Sequence, residues 1–277
     1  MASDRYAVIG HPVSHSLSPT IHARFAQETG EDLEYGLLEP AEDGFAEAAS
    51  AFFADGGLGL NVTVPFKAEA RTWCDRVSDR AKRASVVNTL TLQANGWVAG
   101  DNTDGTGLVR DLTVNLDLGL AGARILLVGA GGAARGVLAP LLGETPAEIV
   151  IANRTATRAE ELAGDFADDG PVRGCGFEAL RQEPAFDIIV NASAASLGGA
   201  LPPLPPTAVA RGGTVYDMMY GPKAEPFLAW GRDAGAATVS DGLGMLVEQA
   251  AESFLIWRGI RPETAGILAA LRAEAGD

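Results

Sequence analysis

Short apolar runs alternate with amphipathic stretches along nearly the whole chain, which is the pattern of an α/β protein. Residues 6–9 predict a first strand. Ser18-Pro19 then predicts a helix start, with Ser18 as N-cap and Pro19 at the first helical position. Ile21 and Phe25 share one face of that helix, and Gly30 suits its end. A strand over 33–38, a helix over 45–53 and a buried strand over 58–64 follow, the last closed by Pro65. Strands over 89–92 and 97–99 flank Asn95-Gly96, a hairpin signal. A helix over 103–112 leads into a second unit with strands over 124–128, 148–152, 186–190, 214–216 and 237–239. From residue 243 onward the pattern is helical, broken at 259–262.

At 277 residues the chain is long for one small domain, so two domains are expected. No apolar run approaches the eighteen or so residues of a membrane span, and the N-terminus lacks the basic-then-apolar pattern of a secretory signal. The two cysteines, Cys74 and Cys175, do not form a disulfide framework, and a reducing cytoplasm is expected. A net charge of −15 argues against nucleic acid or an anionic membrane as partner. It also means that any bound phosphate or carboxylate must be met by local cations and backbone N–H groups.

One such place is readable. The strand over 124–128 runs into Gly129-Ala130-Gly131-Gly132-Ala133-Ala134, which fits the dinucleotide pattern with Gly129, Gly131 and Ala134 at its key positions. The glycines let backbone approach a pyrophosphate, and the following helix offers free N–H groups and a positive dipole end. A site for NAD(H) would place Asp or Glu at the end of the next strand; this chain has Asn153-Arg154-Thr155 there, with Arg158 one turn on. Guanidinium groups pair with a 2′-phosphate, so NADP(H) is the expected coenzyme. Other candidate residues lie in the N-terminal half: the hydroxyl-rich loop 10–19, the segment Asn61-Val62-Thr63-Val64-Pro65-Phe66-Lys67, Asn88-Thr89, and Asp101-Asn102-Thr103-Asp104-Gly105. Lys67 and Asp104 make a candidate cation–carboxylate pair. No His/Cys/Asp/Glu cluster has metal-ligand spacing, so no metal is expected.

In this order, the motifs HSLSP, NVTVPFK, VNT, DNTDG, GAGGAAR, NRT, VYDMMYGP and GLGMLVEQ resemble those of the shikimate dehydrogenase family over nearly the whole chain. The resemblance implies an N-terminal α/β substrate domain (1–105), completed by C-terminal helices (243–277) that pack back on it. It also implies a Rossmann-type doubly wound parallel-sheet domain (106–242) for NADP(H). By resemblance, Ser16 and Ser18 hold a substrate carboxylate, while Asn61, Thr63, Asn88, Asp104 and Gln249 meet ring hydroxyls, with Tyr220 near the same pocket. Gly129, Ala130, Gly131, Gly132, Ala133, Asn153, Arg154, Thr155, Arg158, Met218 and Gly242 would face the coenzyme, and Lys67 with Asp104 would be catalytic. The implied reaction is reversible reduction of 3-dehydroshikimate to shikimate by NADPH, in aromatic amino acid (chorismate) biosynthesis, by a cytoplasmic monomer or homodimer. The rival readings are a quinate/shikimate dehydrogenase using NAD(H) and a non-catalytic NADP(H)-binding regulator. The chain departs from the family pattern at Ser85-Val86, where Gly-Ala is usual, and at Ala194 and Ser196 in the segment after the strand over 186–190.

Overall fold

The computed structural model describes residues 3–193 and 201–276. The chain divides into two compact units, residues 1–107 with 246–277, and residues 108–245. It is a mixed α/β protein with one mixed six-stranded sheet in the first unit and a doubly wound parallel sheet in the second, as the apolar pattern and the resemblance predict.

The first unit holds strands β1 (Asp4–Ile9), β2 (Leu33–Leu38), β3 (Gly57–Val62), β4 (Arg76–Val77), β5 (Thr89–Leu92) and β6 (Val98–Asp101). They form one mixed sheet in the order β2-β1-β3-β5-β6-β4. Its helices are α1 (Ser18–Thr29), α2 (Phe45–Ala54), α3 (Lys67–Trp73), α4 (Asp79–Ala84) and α5 (Asp104–Arg110), the last running on past the unit boundary. Ile9, Phe45, Leu60, Phe66 and Leu90 are fully or almost fully buried in its core. Each such side chain contributes roughly 1.5–3 kcal/mol by leaving water. The expected hairpin forms, although its turn spans 93–97, with Gly96 at φ 83°.

One expectation needs correcting. Ser18 is not the N-cap of α1: the helix begins at Ser18, Leu17 holds the cap position and no side chain caps it. The Ser18 hydroxyl is engaged instead with Ser16, whose Oγ lies 3.1 Å away.

In the second unit β7 (Arg124–Val128), β8 (Glu148–Asn153), β9 (Val172–Gly176), β10 (Phe186–Asn191), β11 (Val209–Asp217) and β12 (Thr238–Ser240) form an all-parallel sheet. The order β9-β8-β7-β10-β11-β12 reverses direction at β7/β10, the arrangement that binds dinucleotides. Helices α6 (Gly132–Gly143), α7 (Ala156–Asp165) and α8 (Glu225–Asp233) belong to this unit. Alternate residues of β7 enter opposite cores, Ile125 and Leu127 one, Leu126 and Val128 the other. That is why the sequence reads as a continuous apolar run: both faces of a parallel sheet are covered. The predicted helix over 103–112 is α5 followed by a π-turn over Asp111–Asn115.

The C-terminal segment is α9 (Leu243–Arg258) and α10 (Ala265–Ala275), with the predicted break between them. From residue 246 it packs in the first unit. Trp257 stacks on Tyr6 at 4.6 Å and donates its indole N–H to the Leu90 carbonyl at 3.1 Å. Arg261 reaches the buried Glu248 at 2.6 Å and Glu252 at 2.9 Å, and Arg80 joins Glu252 (2.9 Å) to Asp101 (2.6 Å).

Candidate active site

In the first unit, β1 and β3 are parallel neighbours, so the chain leaves both at one sheet edge. The Thr63 N–H donates to the Ile9 carbonyl at 2.9 Å and the His11 N–H to the Val64 carbonyl at 3.0 Å. A Cβ on Gly10 would overlap the Thr63 methyl, so glycine is required where the serine loop crosses the Asn61–Lys67 segment. The Ser18 N–H donates to Ser16 Oγ at 3.2 Å. Glu39, just after β2, accepts the N–H groups of Val13 (2.8 Å) and Ser14 (2.9 Å). The Val13 bond above all holds its carboxyl below the usual glutamate range, with the Ser14 bond assisting. Glu39 was not visible as functional in the sequence, because an exposed Glu after a strand carries no signal.

Lys67 Nζ donates to Asp104 Oδ2 at 2.6 Å, the two side chains being 28% and 13% exposed. The other Asp104 oxygen accepts the Asn88 amide at 2.8 Å. Asn88 also donates to Thr103 Oγ1 (2.9 Å), while its Oδ1 accepts the Thr103 N–H and the Thr89 hydroxyl, both at 2.9 Å. Every hydrogen-bonding position of this amide is therefore engaged, and its orientation is fixed. Gln249 on α9 approaches the same cluster, its Oε1 lying 3.4 Å from both Asn88 and Thr103. Asn61 accepts the Tyr35 hydroxyl at 2.7 Å and donates to Ser253 at 2.9 Å. The Thr63 hydroxyl makes no hydrogen bond among the described residues. Thr89 and Thr103 belong to the VNT and DNTDG motifs, whereas Tyr35 and Ser253 lie outside every motif read from the sequence. Only tertiary contact joins Tyr35 and Ser253 to the motif residues.

Below the network, His22 is fully buried and stacks on Tyr35 with ring centroids 4.1 Å apart. Burial pushes its imidazole down to about 3. The departure at Ser85-Val86 does not displace the adjoining segment: Val87 N–H donates to the Lys67 carbonyl (2.9 Å), and Asn88 N–H to the Asp101 carbonyl (3.0 Å). Ser85 itself has φ 58°, a left-handed conformation that favours glycine.

In the second unit, Gly129 leaves β7 at φ 106°, and a Cβ there would lie 3.0 Å from Ser193 Cα. Gly131 is the N-cap of the twelve-residue α6, with no side-chain cap, and Gly132 and Ala133 are exposed in its first turn. Backbone N–H groups and the helix dipole are thus presented where a pyrophosphate would sit. At the end of β8, Asn153 donates to the Thr155 carbonyl at 3.0 Å. Arg154, Thr155 and Arg158 are exposed, and neither arginine has an ion pair among the described residues. In a chain of net charge −15, two uncommitted guanidinium groups beside a glycine turn fit a phosphorylated ribose. Met218 follows β11, and a Cβ on Gly242 would overlap the Met218 carbonyl. Tyr220 is half-buried, and burial raises its phenol. The departures at Ala194 and Ser196 lie outside the described residues.

Three family models match the chain: "Shikimate dehydrogenase substrate binding domain" over residues 8–90, "Shikimate / quinate 5-dehydrogenase" over 113–197, and "Shikimate 5'-dehydrogenase C-terminal domain" over 242–272. A relative named shikimate dehydrogenase (NADP(+)) from Alkalilimnicola ehrlichii is 57% identical over 98% of this chain and 100% of its own. The chain belongs to the shikimate dehydrogenase family. An Ael1 enzyme from Pseudomonas putida is 45% identical, with a TM-score of 0.91 over 97% of this chain and 98% of that one. The Thermus thermophilus shikimate 5-dehydrogenase, solved with NADP(H) and shikimate, is 32% identical, with a TM-score of 0.84 over 98% and 99% of the two chains. The shikimate dehydrogenase substrate model spans the serine loop, Asn61–Lys67 and Asn88, and the C-terminal model spans Gln249. Among the described residues no group of three His, Cys, Asp or Glu could hold a metal, and no helix is long and apolar enough to cross a membrane.

Proposed function

We propose that this chain is an NADP(H)-dependent shikimate dehydrogenase, catalysing the reversible reduction of 3-dehydroshikimate to shikimate. The observation that carries the reading is the 2.6 Å Lys67–Asp104 pair, with the second Asp104 oxygen fixed by Asn88 at 2.8 Å. A binding module has no need of an ammonium held so closely beside oriented amides, whereas a carbonyl reductase needs a positioned proton. NADPH, when bound, supplies the hydride to the carbonyl carbon. Lys67 gives a proton to the carbonyl oxygen as it becomes an alkoxide, and as the neutral amine takes it back in oxidation. Asp104 orients Lys67, and Asn88 orients Asp104.

Ser16 and Ser18, next to the start of α1, suit the carboxylate of the ring. Asn61, Thr63, Asn88, Asp104 and Gln249 suit its hydroxyls, and a site that pairs each buried hydroxyl rejects analogues lacking one. Arg154 and Arg158 pair with the 2′-phosphate, with Thr155 and Asn153 beside it, and the Gly129–Ala133 turn takes the pyrophosphate. The two cysteines are buried and unbridged, which fits a reducing cytoplasm.

The test is nicotinamide absorbance with purified protein, shikimate or quinate, and NADP⁺ or NAD⁺. Fast NADP⁺ reduction with shikimate alone is the expected result. Comparable rates with NAD⁺ or quinate would favour a broader-specificity dehydrogenase, and no reduction in any pairing would overturn the assignment.

A further inference from the structure

In the second unit the sheet order reverses between β7 and β10, so a dinucleotide lies across that point with one nucleotide on each side. Arg154 and Arg158 follow β8 and mark the side of the phosphorylated adenosine. The nicotinamide half then lies over the ends of β10, β11 and β12. Those ends are tied together by polar side chains that take no part in the phosphate turn.

Asn191 closes β10 and Asp217 closes β11, facing each other in register, 1% and 0% exposed. Asn191 Nδ2 donates to Asp217 Oδ2 at 2.9 Å. Asn191 Oδ1 accepts the Ser193 N–H (3.1 Å) and hydroxyl (2.7 Å), and Asp217 Oδ1 accepts the Met219 N–H (2.9 Å). The Met218 N–H donates to the Asn191 carbonyl at 3.0 Å. One strand further on, the Gly242 N–H reaches the Met219 carbonyl at 2.9 Å, and Asp241 accepts the Gly221 N–H at 2.9 Å. On the other side, Gly129 packs against the segment that Asn191 holds. Burying a carboxylate this completely is costly unless it is hydrogen-bonded, and apolar side chains fill such a place at less cost. What the pair supplies is a set of acceptors that fold the strand exits back on themselves.

We infer that Asn191 and Asp217 form a bracket of positioning residues, presetting the segments 192–193 and 218–221 to receive the nicotinamide half of the coenzyme. The inference rests on the NADP(H) reading above. The pair has a built-in control. Exchanging the two residues moves the carboxylate by one strand yet allows every hydrogen bond named for the two side chains to be remade, with the amide on β11 now donating to the carboxylate on β10. Asp217→Asn alone leaves one Oδ1 to serve two donors, Asn191 Nδ2 and Met219 N–H.

The experiment measures dissociation constants of NADPH and of adenosine 2′,5′-diphosphate, which carries only the phosphorylated adenosine half, by calorimetry. The proteins are wild type, Asp217→Asn, and the exchange Asn191→Asp with Asp217→Asn. NADPH is expected to bind Asp217→Asn about tenfold more weakly, with the adenosine diphosphate unchanged within about twofold, and the exchange to restore NADPH binding. Equal weakening of both ligands, unchanged NADPH binding in Asp217→Asn, or an exchange variant no tighter than Asp217→Asn would overturn the bracket. Should Asp217→Asn fail to fold, the exchange variant decides alone: near-wild-type NADPH binding supports the bracket, and weakened NADPH binding beside intact adenosine diphosphate binding overturns it. A wild-type protein that binds neither ligand would overturn the coenzyme reading, and the bracket with it.

Discussion

The sites proposed in the two units are built on different physics. In the first, side chains dominate: Lys67, Asp104, Asn88, Thr89, Thr103, Asn61, Tyr35 and Ser253 form one connected hydrogen-bonded set, most of it buried. In the second, the surface proposed to take the coenzyme phosphates is a glycine turn, an uncapped helix start and two exposed arginines without ion partners among the described residues. The contrast matches the two ligands proposed. A polyhydroxylated ring offers several small groups in fixed stereochemistry, so donors and acceptors must be set in advance. A phosphate is a large diffuse anion that backbone N–H groups and solvated cations satisfy from many angles. Damage to the first site should therefore appear as lost chemistry, and damage to the second as lost discrimination.

The largest effect is expected for Lys67→Ala. Turnover should fall roughly 10²–10⁴-fold, the span of a lost general acid or base, while KM for shikimate changes little. Steady-state rates with saturating NADP⁺ check this, and near-normal turnover would remove Lys67 from its role. Next comes the second unit. Arg154→Ala with Arg158→Ala should lower kcat/KM for NADP⁺ by about 10–100-fold, the worth of one or two charge-assisted hydrogen bonds, and leave the slow NAD⁺ reaction unchanged. If both coenzymes suffer equally, the arginines do not read the 2′-phosphate.

Stability against pH depends on the histidine buried beside the first network. His22 is fully buried and titrates at about 3, against 6.5 in an unfolded chain. The unfolded state therefore takes up a proton between these values that the folded state refuses, and stability falls as pH drops through that window. By pH 5 the loss is about 2 kcal/mol. His22→Phe removes this contribution, so its melting temperature should change less between pH 7.5 and pH 5 than that of the wild type. Glu39 adds loss in the same direction at lower pH, because its depressed carboxyl stabilises the serine loop only while ionised. Equal pH dependence in the two proteins would mean that His22 is not held neutral.

Much of the molecule was legible where local pattern and tertiary need coincide. The strand over 124–128 was bounded correctly because its apolar run is closed by a glycine that the turn requires. β9 was not readable, since Val172-Arg173-Gly174-Cys175-Gly176 has no strand pattern. At Gly174 a side chain would overlap the Ala159 backbone, so the close approach of α7 selects glycine where the strand would otherwise carry an apolar residue. Short helices such as α3 and α4 escaped because they fall below the length at which a helical period can be counted. In the candidate site, polar motif residues could be named from sequence, whereas Tyr35, Ser253 and Glu39 could not. Their part depends on what lies opposite them in space.

The smallest effect concerns a position where the chain departs from its family. Ser85 ends α4 at φ 58°, and its N–H donates to the Lys82 carbonyl at 3.1 Å. Glycine adopts this conformation without a Cβ clash, whereas an L side chain carries a cost of about 1 kcal/mol, partly offset by the greater freedom of glycine in the unfolded chain. Ser85→Gly should therefore stabilise the protein by about 0.5 kcal/mol and raise its melting temperature by about 1–2 °C. Catalysis should not move, because Val87 and Asn88 already hold their hydrogen bonds to Lys67 and Asp101 with serine in place. Calorimetry together with the shikimate assay separates the two claims. A stabilised variant with unchanged kcat means that the departure costs stability alone. A raised kcat would show instead that the left-handed serine disturbs the segment presenting Asn88 to Asp104, and that the connected network of the first unit is sensitive to strain just outside it.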